Sequence, residues 1–291
     1  MADGEAKVVL ITGCSSGIGH ATALLLSKDP DSRFKVYATM RNLAKKDELE
    51  KAGEGFIGKT LFIEKLDVSC EDDINTFVDE LLVKEKRIDI LVNNAGIGWF
   101  GPLEDHPTDN ARAIFNTNVF GPMMLIKKIL PHWKAHNYGH AMVISSICGV
   151  AAFPFSAVIN ASKFAVEGYF ESLALECMNF KGIKITIIEP GPVATKFGEN
   201  NGVQYMEEHY KNSDPVTSQT MKKMFANVGQ MFQNNVQSSD DVSKVILKAI
   251  TESNPHLRYS TNSFFDETLK TRYTDLQGDK ALQALCQFFH G

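Results

Sequence analysis

The sequence lacks the cysteine pattern of a disulfide-bonded or zinc-binding protein. It contains five cysteines, an odd number, and no Cys-x-x-Cys pair. They are scattered along the chain, from Cys14 near the start to Cys286 near the end. Because this spacing suits neither a disulfide framework nor a metal site, we expect reduced thiols, no bound metal and a cytoplasmic protein.

Long apolar runs and an excess of basic residues are also missing. No apolar stretch reaches the roughly 18 residues that a membrane-spanning helix needs. The N-terminal segment has no charged-then-apolar signal region, since its short apolar stretch runs into a glycine-rich loop. The net charge of −5 argues against a nucleic-acid partner, because binding to phosphates needs a basic surface. The composition, 44% hydrophobic and 22% charged over 291 residues, is typical of a globular domain.

Short β-branched runs alternate with longer helical patterns over the first two thirds of the chain. The run Lys7–Thr12 (KVVLIT) is continuously apolar, as expected of a strand buried on both faces. Similar runs occur at Lys35–Met40, Thr60–Leu66, Asp89–Val92, His140–Ser145 and Lys184–Ile188, and helical patterns at Ser69–Lys86, Thr108–His136 and Ala157–Phe180. This alternation predicts an α/β fold: a single-domain, Rossmann-type, doubly wound parallel sheet with helices on both faces.

A glycine-rich loop, TGCSSGIG, follows the first predicted strand and precedes a helix over His20–Lys28. Glycines let a backbone turn tightly and approach a pyrophosphate, and the helix N-terminus adds N–H groups with partial positive charge. Although glycines also mark ordinary turns, the strand–loop–helix context favours a dinucleotide. No Gly-Lys-Ser/Thr follows, which excludes a nucleoside-triphosphatase loop. The predicted cofactor contacts in this loop are Gly13, Ser15, Ser16, Gly17, Ile18 and Gly19.

The end of the second strand predicts which dinucleotide binds. An NAD site usually has an acidic residue here for the ribose 2′-hydroxyl, whereas this chain has Met40 and then Arg41. A guanidinium is suited to a 2′-phosphate, so we expect NADP(H), with Ser15 adding a hydrogen bond. The alternative is that Arg41 is an ordinary solvated charge. Asp67, followed by Val68, suits either a contact to the adenine amino group or a helix N-cap.

Several motifs together resemble the short-chain dehydrogenase/reductase superfamily in their joint spacing. They are Thr12–Gly19, Asp67-Val68, Asn93–Gly96, Asn118, Ser146, Lys163 and Pro190–Thr195. Within that superfamily the chain is most similar to the branch of retinol and 17-beta-hydroxysteroid dehydrogenases. The stretches that carry this similarity are ITGCSSGIG (Ile11–Gly19), VYATMR (Val36–Arg41), LVNNAG (Leu91–Gly96), GPLE (Gly101–Glu104), ASKFAVEG (Ala161–Gly168), ESLA (Glu171–Ala174) and EPGPV (Glu189–Val193).

The resemblance implies an oxidoreductase that uses a nicotinamide dinucleotide on an alcohol or ketone of a lipophilic molecule, such as a steroid or retinoid. It also implies a homodimer formed through the helices that carry Asn118 and Lys163. By position, Ser146 would donate a hydrogen bond to the substrate oxygen, Lys163 would bind the ribose hydroxyls, and Asn118 would hold a water linked to Lys163. The remaining cofactor contacts implied are Asn94, Ala95 and Gly96 beside the adenosine, and Pro190, Gly191, Val193 and Thr195 around the nicotinamide.

One residue of the family pattern is missing, because Ile159 stands four residues before Lys163, where the family has a tyrosine. That phenol, with a reference pKa near 10 that a lysine ammonium lowers, protonates the oxygen formed when a ketone is reduced. Isoleucine has no titratable proton, and loss of a positioned acid typically costs about 10²- to 10⁴-fold in rate. We therefore expect an NADP(H)-dependent enzyme of weakened activity; the alternative is a catalytically silent NADP(H)- or lipid-binding member of the family.

The domain organisation follows from the same pattern. With no repeat or linker, we expect one domain over residues 1–291, with its cofactor and catalytic core at about residues 7–195. Residues 196–237 form an insertion rich in methionine (Met206, Met221, Met224, Met231), read either as core filler or as a mobile substrate cover. Residues 238–291 supply a closing helix, a strand and a tail. The tail segment Ala281–Phe289 is apolar at helical spacing, so it either docks on its own domain or touches a membrane surface.

Overall fold

Nine strands are present in the computed structural model, which describes residues 5–201 and 213–290. They are β1 (Lys7–Ile11), β2 (Phe34–Met40), β3 (Leu61–Lys65), β4 (Ile90–Asn93), β5 (Gly139–Ile144), β6 (Ile183–Glu189), β7 (Val193–Ala194), β8 (Gln237–Ser238) and β9 (Arg258–Ser260). All except β7 and β8 join one parallel sheet in the order β3-β2-β1-β4-β5-β6-β9, and β7 pairs with β8. The strand order reverses between β1 and β4, which is where ligands bind in folds of this kind.

Helices connect the strands and cover both faces of the sheet. They are α1 (Gly17–Ser27), α2 (Asp47–Ala52), α3 (Glu71–Glu85), α4 (Thr108–Phe115), α5 (Gly121–His136), α6 (Ala157–Glu176), α7 (Phe197–Asn200), α8 (Pro215–Asn235), α9 (Ser239–Thr251), α10 (Asp266–Thr274) and α11 (Asp279–His290). The doubly wound parallel sheet predicted from the sequence is thereby confirmed.

The core has two halves, one on each face of the sheet. Alternate residues of β1 point to opposite halves: Val8 and Leu10 pack with α3, α5 and α6, whereas Val9 and Ile11 pack with α1, α2 and α9. Both sets are almost fully buried. This explains why the strand sequence is continuously apolar, since a strand covered on both faces has no solvated side.

The predicted helix over Thr108–His136 differs from the structure in one informative way. It is divided into α4 and α5 by a five-residue π-helical turn, Asn116–Phe120. The extra residue of a π turn changes the direction in which side chains point, and such turns are frequent at functional sites. Asn118 lies in the middle of this turn, so its orientation depends on a feature that the apolar periodicity did not reveal. The predicted helix over Ala157–Phe180 also ends earlier, at Glu176.

The C-terminal part of the chain packs on its own domain. Met221 and Met224 of α8 are buried, which favours the core-filler interpretation for these two residues. Met206 lies outside the described residues, and the division at residues 195 and 237 stays a prediction. Helix α11 contacts α8 and α10, and its Ala281 is buried, consistent with a tail docked on the domain. No helix in the described part of the chain has the length and apolar character required to cross a membrane.

The hydroxyl of Thr12, directly after β1, connects the ends of β1 and β4. It accepts hydrogen bonds from the backbone N–H groups of Asn94 and Ala95, each at 3.0 Å. In return, the Asn94 side chain donates to the carbonyl oxygens of Thr12 and Gly13 at 2.8 and 3.0 Å. Thr12 is only 1% exposed, so these backbone groups have little access to water as an alternative partner.

We expect Thr12→Val to destabilise the protein by about 1–3 kcal/mol for each N–H group left without an acceptor. Valine has nearly the same shape as threonine, so the loss of stability measures the contribution of the hydrogen bonds. The matched control is Thr22→Val, because the Thr22 hydroxyl is equally buried but has no hydrogen-bond partner. Urea unfolding should show a clear loss for the first variant and a change below about 1 kcal/mol for the second. Equal losses in both variants would contradict this assignment.

Candidate active site

The glycine-rich loop is held in a conformation that side chains would not permit. Gly13 and Gly17 have φ angles of +73° and +64°, in the left-handed region that favours glycine. A Cβ atom on Gly13 would lie 2.7 Å from the Cα atom of Ala95, and one on Gly19 would lie 2.4 Å from the Asn94 amide nitrogen. The loop is therefore closely packed against residues 94–95, leaving its outer side open to a ligand.

The N-terminus of α1 faces this loop without a capping side chain. Ser16 is the N-cap residue, yet its hydroxyl makes no capping hydrogen bond. The first N–H groups of a helix need acceptors from outside the helix, and a phosphate group supplies them well. A cavity of about 420 Å³ lies beside this end of α1. Its lining residues are Ser16, Gly17, His20, Glu48, Ala194, Thr195, Lys196 and Ser239.

The predicted adenosine-side residues lie at the carboxyl ends of β2, β3 and β4. Arg41 is exposed, and no hydrogen bond or ion pair to it occurs within the described residues. Asp67 accepts hydrogen bonds from the backbone N–H and the hydroxyl of Ser69, at 2.9 and 2.6 Å. The N-cap of α3 is Cys70, so the alternative that Asp67 caps this helix is wrong. Val68, next to it, is buried.

The loop after β6 holds the predicted nicotinamide-side residues near Ser146. The carbonyl oxygen of Pro190 accepts a hydrogen bond from the Ile147 N–H at 3.0 Å and one from the Ser146 hydroxyl at 3.4 Å. The Thr195 hydroxyl accepts from the Phe197 N–H at 3.2 Å, which leaves its own proton available. Gly191 packs against Asn262 and Phe265, and Val193 pairs with Gln237 in the short two-stranded sheet.

The buried side chain of Asn118 forms hydrogen bonds with the loop that follows β4. Its side-chain oxygen accepts from the Ile97 N–H at 2.9 Å, and its amide nitrogen donates to the Ile97 carbonyl at 2.9 Å. The same nitrogen lies 3.0 Å from the hydroxyl of Ser162 on α6. A Cβ atom on Gly96 would lie 3.5 Å from the Asn118 oxygen and 4.0 Å from Lys163 Nζ. The structure thus brings Gly96, Asn118 and Lys163 together, whereas the role of Asn118 in holding a water stays a prediction.

Lys163 is an amine whose charged form is disfavoured by burial. Its Nζ atom donates to the Ile144 carbonyl at 2.8 Å, at the end of β5. Burial lowers the pKa of Lys163 to about 8, although the nearby Cys148 and Glu167 favour the charged form. Ser146 lies two residues after Ile144, and its hydroxyl accepts a hydrogen bond from the Cys148 N–H at 3.1 Å. Burial raises the pKa of the Cys148 thiol, so this thiol is a poor acid.

Hydrocarbon occupies the place predicted for the missing acid. Ile159, one helical turn before Lys163, is only 6% exposed. A Cβ atom on Gly98 would lie 2.8 Å from Ile159 Cδ1 and 3.0 and 3.2 Å from two ring carbons of Phe197. The backbone N–H of Gly98 also donates to the side-chain oxygen of Asn201 at 2.7 Å. The segment after Thr195 therefore packs on Gly98 beside Ile159.

The sequence did not single out three residues that shape this site. Gly98, Phe197 and Asn201 fit no motif, and their meeting point depends on how the chain folds back after β7. Thr12 had a recognisable signal, since it is a hydroxyl residue that ends an otherwise apolar run. A polar side chain at the carboxyl end of a buried strand indicates a local hydrogen-bond role, because its hydroxyl has to find a partner there.

Comparisons with known proteins agree with this geometry. The family model described as short chain dehydrogenase matches residues 7–205. Retinol dehydrogenase 8 of Bos taurus is 40% identical over 97% of this chain and 87% of that protein. The 17-beta-hydroxysteroid dehydrogenase type 1 of Homo sapiens is 36% identical over 96% of this chain and 84% of that protein.

A solved structure extends the comparison to a bound cofactor. ElxO with NADP bound is 27% identical, has a TM-score of 0.71 and covers 90% of this chain and 100% of its own. A tyrosine-to-phenylalanine variant of ElxO with NADPH bound is also 27% identical, with a TM-score of 0.70. In that protein, replacement of a tyrosine by a ring without a hydroxyl is compatible with a bound dinucleotide.

Close packing at Gly98 predicts the effect of adding one methyl group there. We expect Gly98→Ala to destabilise the protein by about 1–3 kcal/mol, because the methyl group would overlap Ile159 and Phe197. Gly168→Ala, on the exposed side of α6 with no atom within 4 Å, should instead stabilise it by about 0.5–1 kcal/mol. Thermal unfolding of both variants measures the difference. A Gly98→Ala protein as stable as the native one would show that this contact does not form.

Proposed function

The chain belongs to the short-chain dehydrogenase family, and on that premise we propose that it is an NADP(H)-dependent oxidoreductase of steroid or retinoid alcohols and ketones, slowed by Ile159. The observation that carries this proposal is the contrast within one site. Asn118 and Lys163 both lie near Gly96, and Lys163 donates to the carbonyl of Ile144, two residues before Ser146, whereas the position one turn before Lys163 offers only hydrocarbon. The names of the similar retinol and steroid dehydrogenases support the substrate class.

The residues of the cleft fit a dinucleotide. A side chain on Gly13 or Gly19 would overlap the loop at 94–95, and the uncapped N-terminus of α1 suits a pyrophosphate. A bound nicotinamide would supply or accept a hydride at the substrate carbon. The residues that would hold such a cofactor are Gly13, Ser15, Ser16, Gly17, Ile18, Gly19, Arg41, Asp67, Val68, Asn94, Ala95, Gly96, Lys163, Pro190, Gly191, Val193 and Thr195.

The end of β2 supports a preference for the phosphorylated cofactor. Met40 is a buried, apolar side chain and cannot bind a ribose 2′-hydroxyl. Arg41, next to it, is exposed and makes no ion pair within the described residues, so its guanidinium is available to a 2′-phosphate. Charge-assisted contacts of this kind are about twice as strong as neutral hydrogen bonds.

We expect Arg41→Met to weaken NADPH binding by about tenfold or more and to leave NADH binding nearly unchanged. Calorimetric titration of the two cofactors measures both affinities. Lys45→Met is the matched control, because Lys45 is an exposed cation four residues away that is not expected to reach the phosphate. Equal affinity of the native protein for NADPH and NADH would refute the role given to Arg41.

The chemistry of reduction requires a proton at the substrate oxygen. The Ser146 hydroxyl can donate a hydrogen bond there, but its own pKa lies far above neutrality, so it stabilises charge better than it transfers a proton. The Lys163 ammonium, with its pKa lowered to about 8, is more acidic than this hydroxyl, but its Nζ atom is held by the Ile144 carbonyl at 2.8 Å. In the absence of the phenol we propose that proton delivery is slow and limits turnover.

We expect Ile159→Tyr to raise turnover of a retinaldehyde or a 17-ketosteroid with NADPH by at least about tenfold, because it restores a positioned acid. Ile159→Phe is the control, since it adds a similar ring and similar crowding against Gly98 and Phe197 without the hydroxyl. Steady-state assays of the three proteins compare the rates. If the native protein already equals the tyrosine variant, the argument about the missing acid is wrong; NADPH binding without turnover would instead favour a silent binding protein.

The dimer and the membrane contact stay predictions. The groove between α5 and α6, the helices expected to form the dimer, is lined by apolar residues that include Ile126 and Leu130, and Leu175 and Met178 nearby are exposed. In the tail, Leu276 and Leu282 are exposed, which leaves apolar surface for a lipid headgroup region.

A further inference from the structure

A cluster of charged groups joins α6, β6 and β9. Arg258 of β9 faces three glutamates. Its Nε atom lies 3.2 Å from Glu167 Oε2 and 3.3 Å from Glu189 Oε1, and its Nη2 atom lies 2.8 Å from Glu171 Oε2. Glu167 and Glu189 are 6% and 3% exposed, whereas the Glu171 side chain is more than half exposed. Two buried carboxyl groups therefore share one cation.

The hydrogen bonds of this cluster do not satisfy both buried carboxyl groups. The Nε atom of an arginine carries one hydrogen, and here it is donated to Glu167. Glu189 is close enough for charge attraction but receives no hydrogen bond from this atom. The Oε1 atoms of Glu167 and Glu189, and the Ser145 hydroxyl, are buried without a hydrogen-bond partner. A carboxylate without donors is costly inside a protein, whereas a protonated carboxyl group is much less so.

The cluster is placed where it can affect the active site. Glu189 is the last residue of β6 and directly precedes Pro190, which begins the loop to Thr195. Glu167 lies one turn after Lys163 on α6. A Cβ atom on Gly149 would lie 2.6 Å from the Ser145 hydroxyl and 3.2 Å from Glu167 Oε1, so the loop after Ser146 packs on the same group.

We propose that Glu167 and Glu189 share a single proton near neutral pH, and that this protonated pair positions the loop Pro190–Thr195 and thus the nicotinamide side of the cleft. The second half of this inference rests on the proposed function, whereas the first half does not. Glu167 and Glu189 are positioning residues here, since neither is expected to touch the substrate.

The surrounding charges agree with a shared proton. Burial and, to a lesser extent, the neighbouring Glu167 raise the pKa of Glu189 to about 7, even though Arg258 opposes both effects. Burial also raises the pKa of Glu167, and the charges of Arg258 and Lys163 oppose that rise. The other charged or titratable groups that face the cluster are Glu171 of α6 and Tyr273 of α10. One arginine cannot neutralise two buried carboxylates and an exposed one.

The raised pKa of Glu189 determines how the stability of the folded protein changes with pH. Between the ordinary glutamate value of 4.5 and about 7, the folded protein holds a proton at Glu189 that the unfolded chain has lost. The contribution of this group to stability is therefore fully present below the lower value and is lost as pH rises through the higher one. Above that, two buried carboxylates repel each other directly beneath the loop that starts at Pro190.

Thermal unfolding of the ligand-free protein between pH 5 and pH 8.5 tests the shared proton. Glu189→Gln keeps the shape of a protonated carboxyl group and cannot ionise. We expect the native melting temperature to fall relative to that of Glu189→Gln by at least about 3 °C between the two ends of this range. Glu167→Gln should behave in the same way, while Glu171→Gln, which changes the exposed member of the cluster, should follow the native curve. Parallel curves for the native protein and both buried variants would overturn the inference.

NADPH affinity over the same pH range tests the positioning role. We expect the native protein to lose at least about threefold more affinity between pH 6.5 and pH 8.5 than Glu189→Gln does. Both proteins keep Lys163 and Arg41, so the pH dependence of those groups cancels in the comparison. Equal pH dependence would overturn the positioning role. If the native protein binds no NADPH at any pH, the proposed function and the positioning role fail together, and the unfolding curves still decide the shared proton.

Discussion

The cofactor cleft depends on how the ends of β1 and β4 are held together. Thr12 and Asn94 exchange hydrogen bonds between side chains and backbone, and they leave the glycine-rich loop little freedom to move. Gly13 and Gly19 lie very close to Asn94 and Ala95, so the glycine-rich loop, the start of α1 and the segment after β4 pack together as one unit. A preformed site of this kind reduces the entropy lost when a ligand binds. Substitutions elsewhere in the site leave this unit in place.

Replacement of the tyrosine by isoleucine changes more than one functional group. A phenol would place a polar atom beside Lys163, whereas Ile159 joins Gly98 and Phe197 in an apolar contact. The lysine is consequently left without a neighbouring phenol, and its amine donates to the Ile144 carbonyl at the end of β5. The glycine-rich loop and the uncapped N-terminus of α1 lie in a different part of the chain from Ile159, so the replacement of the tyrosine leaves these features of the proposed dinucleotide site unchanged.

The sequence was sufficient to predict the parallel sheet, because strands that are buried on both faces have continuously apolar sequences. It also singled out Asn118, Ser146 and Lys163, whose spacing matches a known family, and two of them, Asn118 and Lys163, lie near Gly96 in the structure. It did not predict the π turn at Asn116–Phe120, since the apolar periodicity continues through it. Nor did it predict the contact of Phe197 with Gly98, because that contact joins segments about 100 residues apart in the chain and has no pattern in either.

Three side chains of different chemical character lie on one face of helix α6, each one turn after the last. Ile159 is apolar, Lys163 is an amine whose pKa is lowered by burial, and Glu167 is a buried carboxyl group with one oxygen that has no hydrogen-bond partner. Loss of the phenol removes a proton at the first position but leaves titratable groups at the next two. The charge of Lys163 and that of Glu167 each favour the ionised form of the other. The protonation of Glu167 therefore alters how strongly the charged form of Lys163 is favoured.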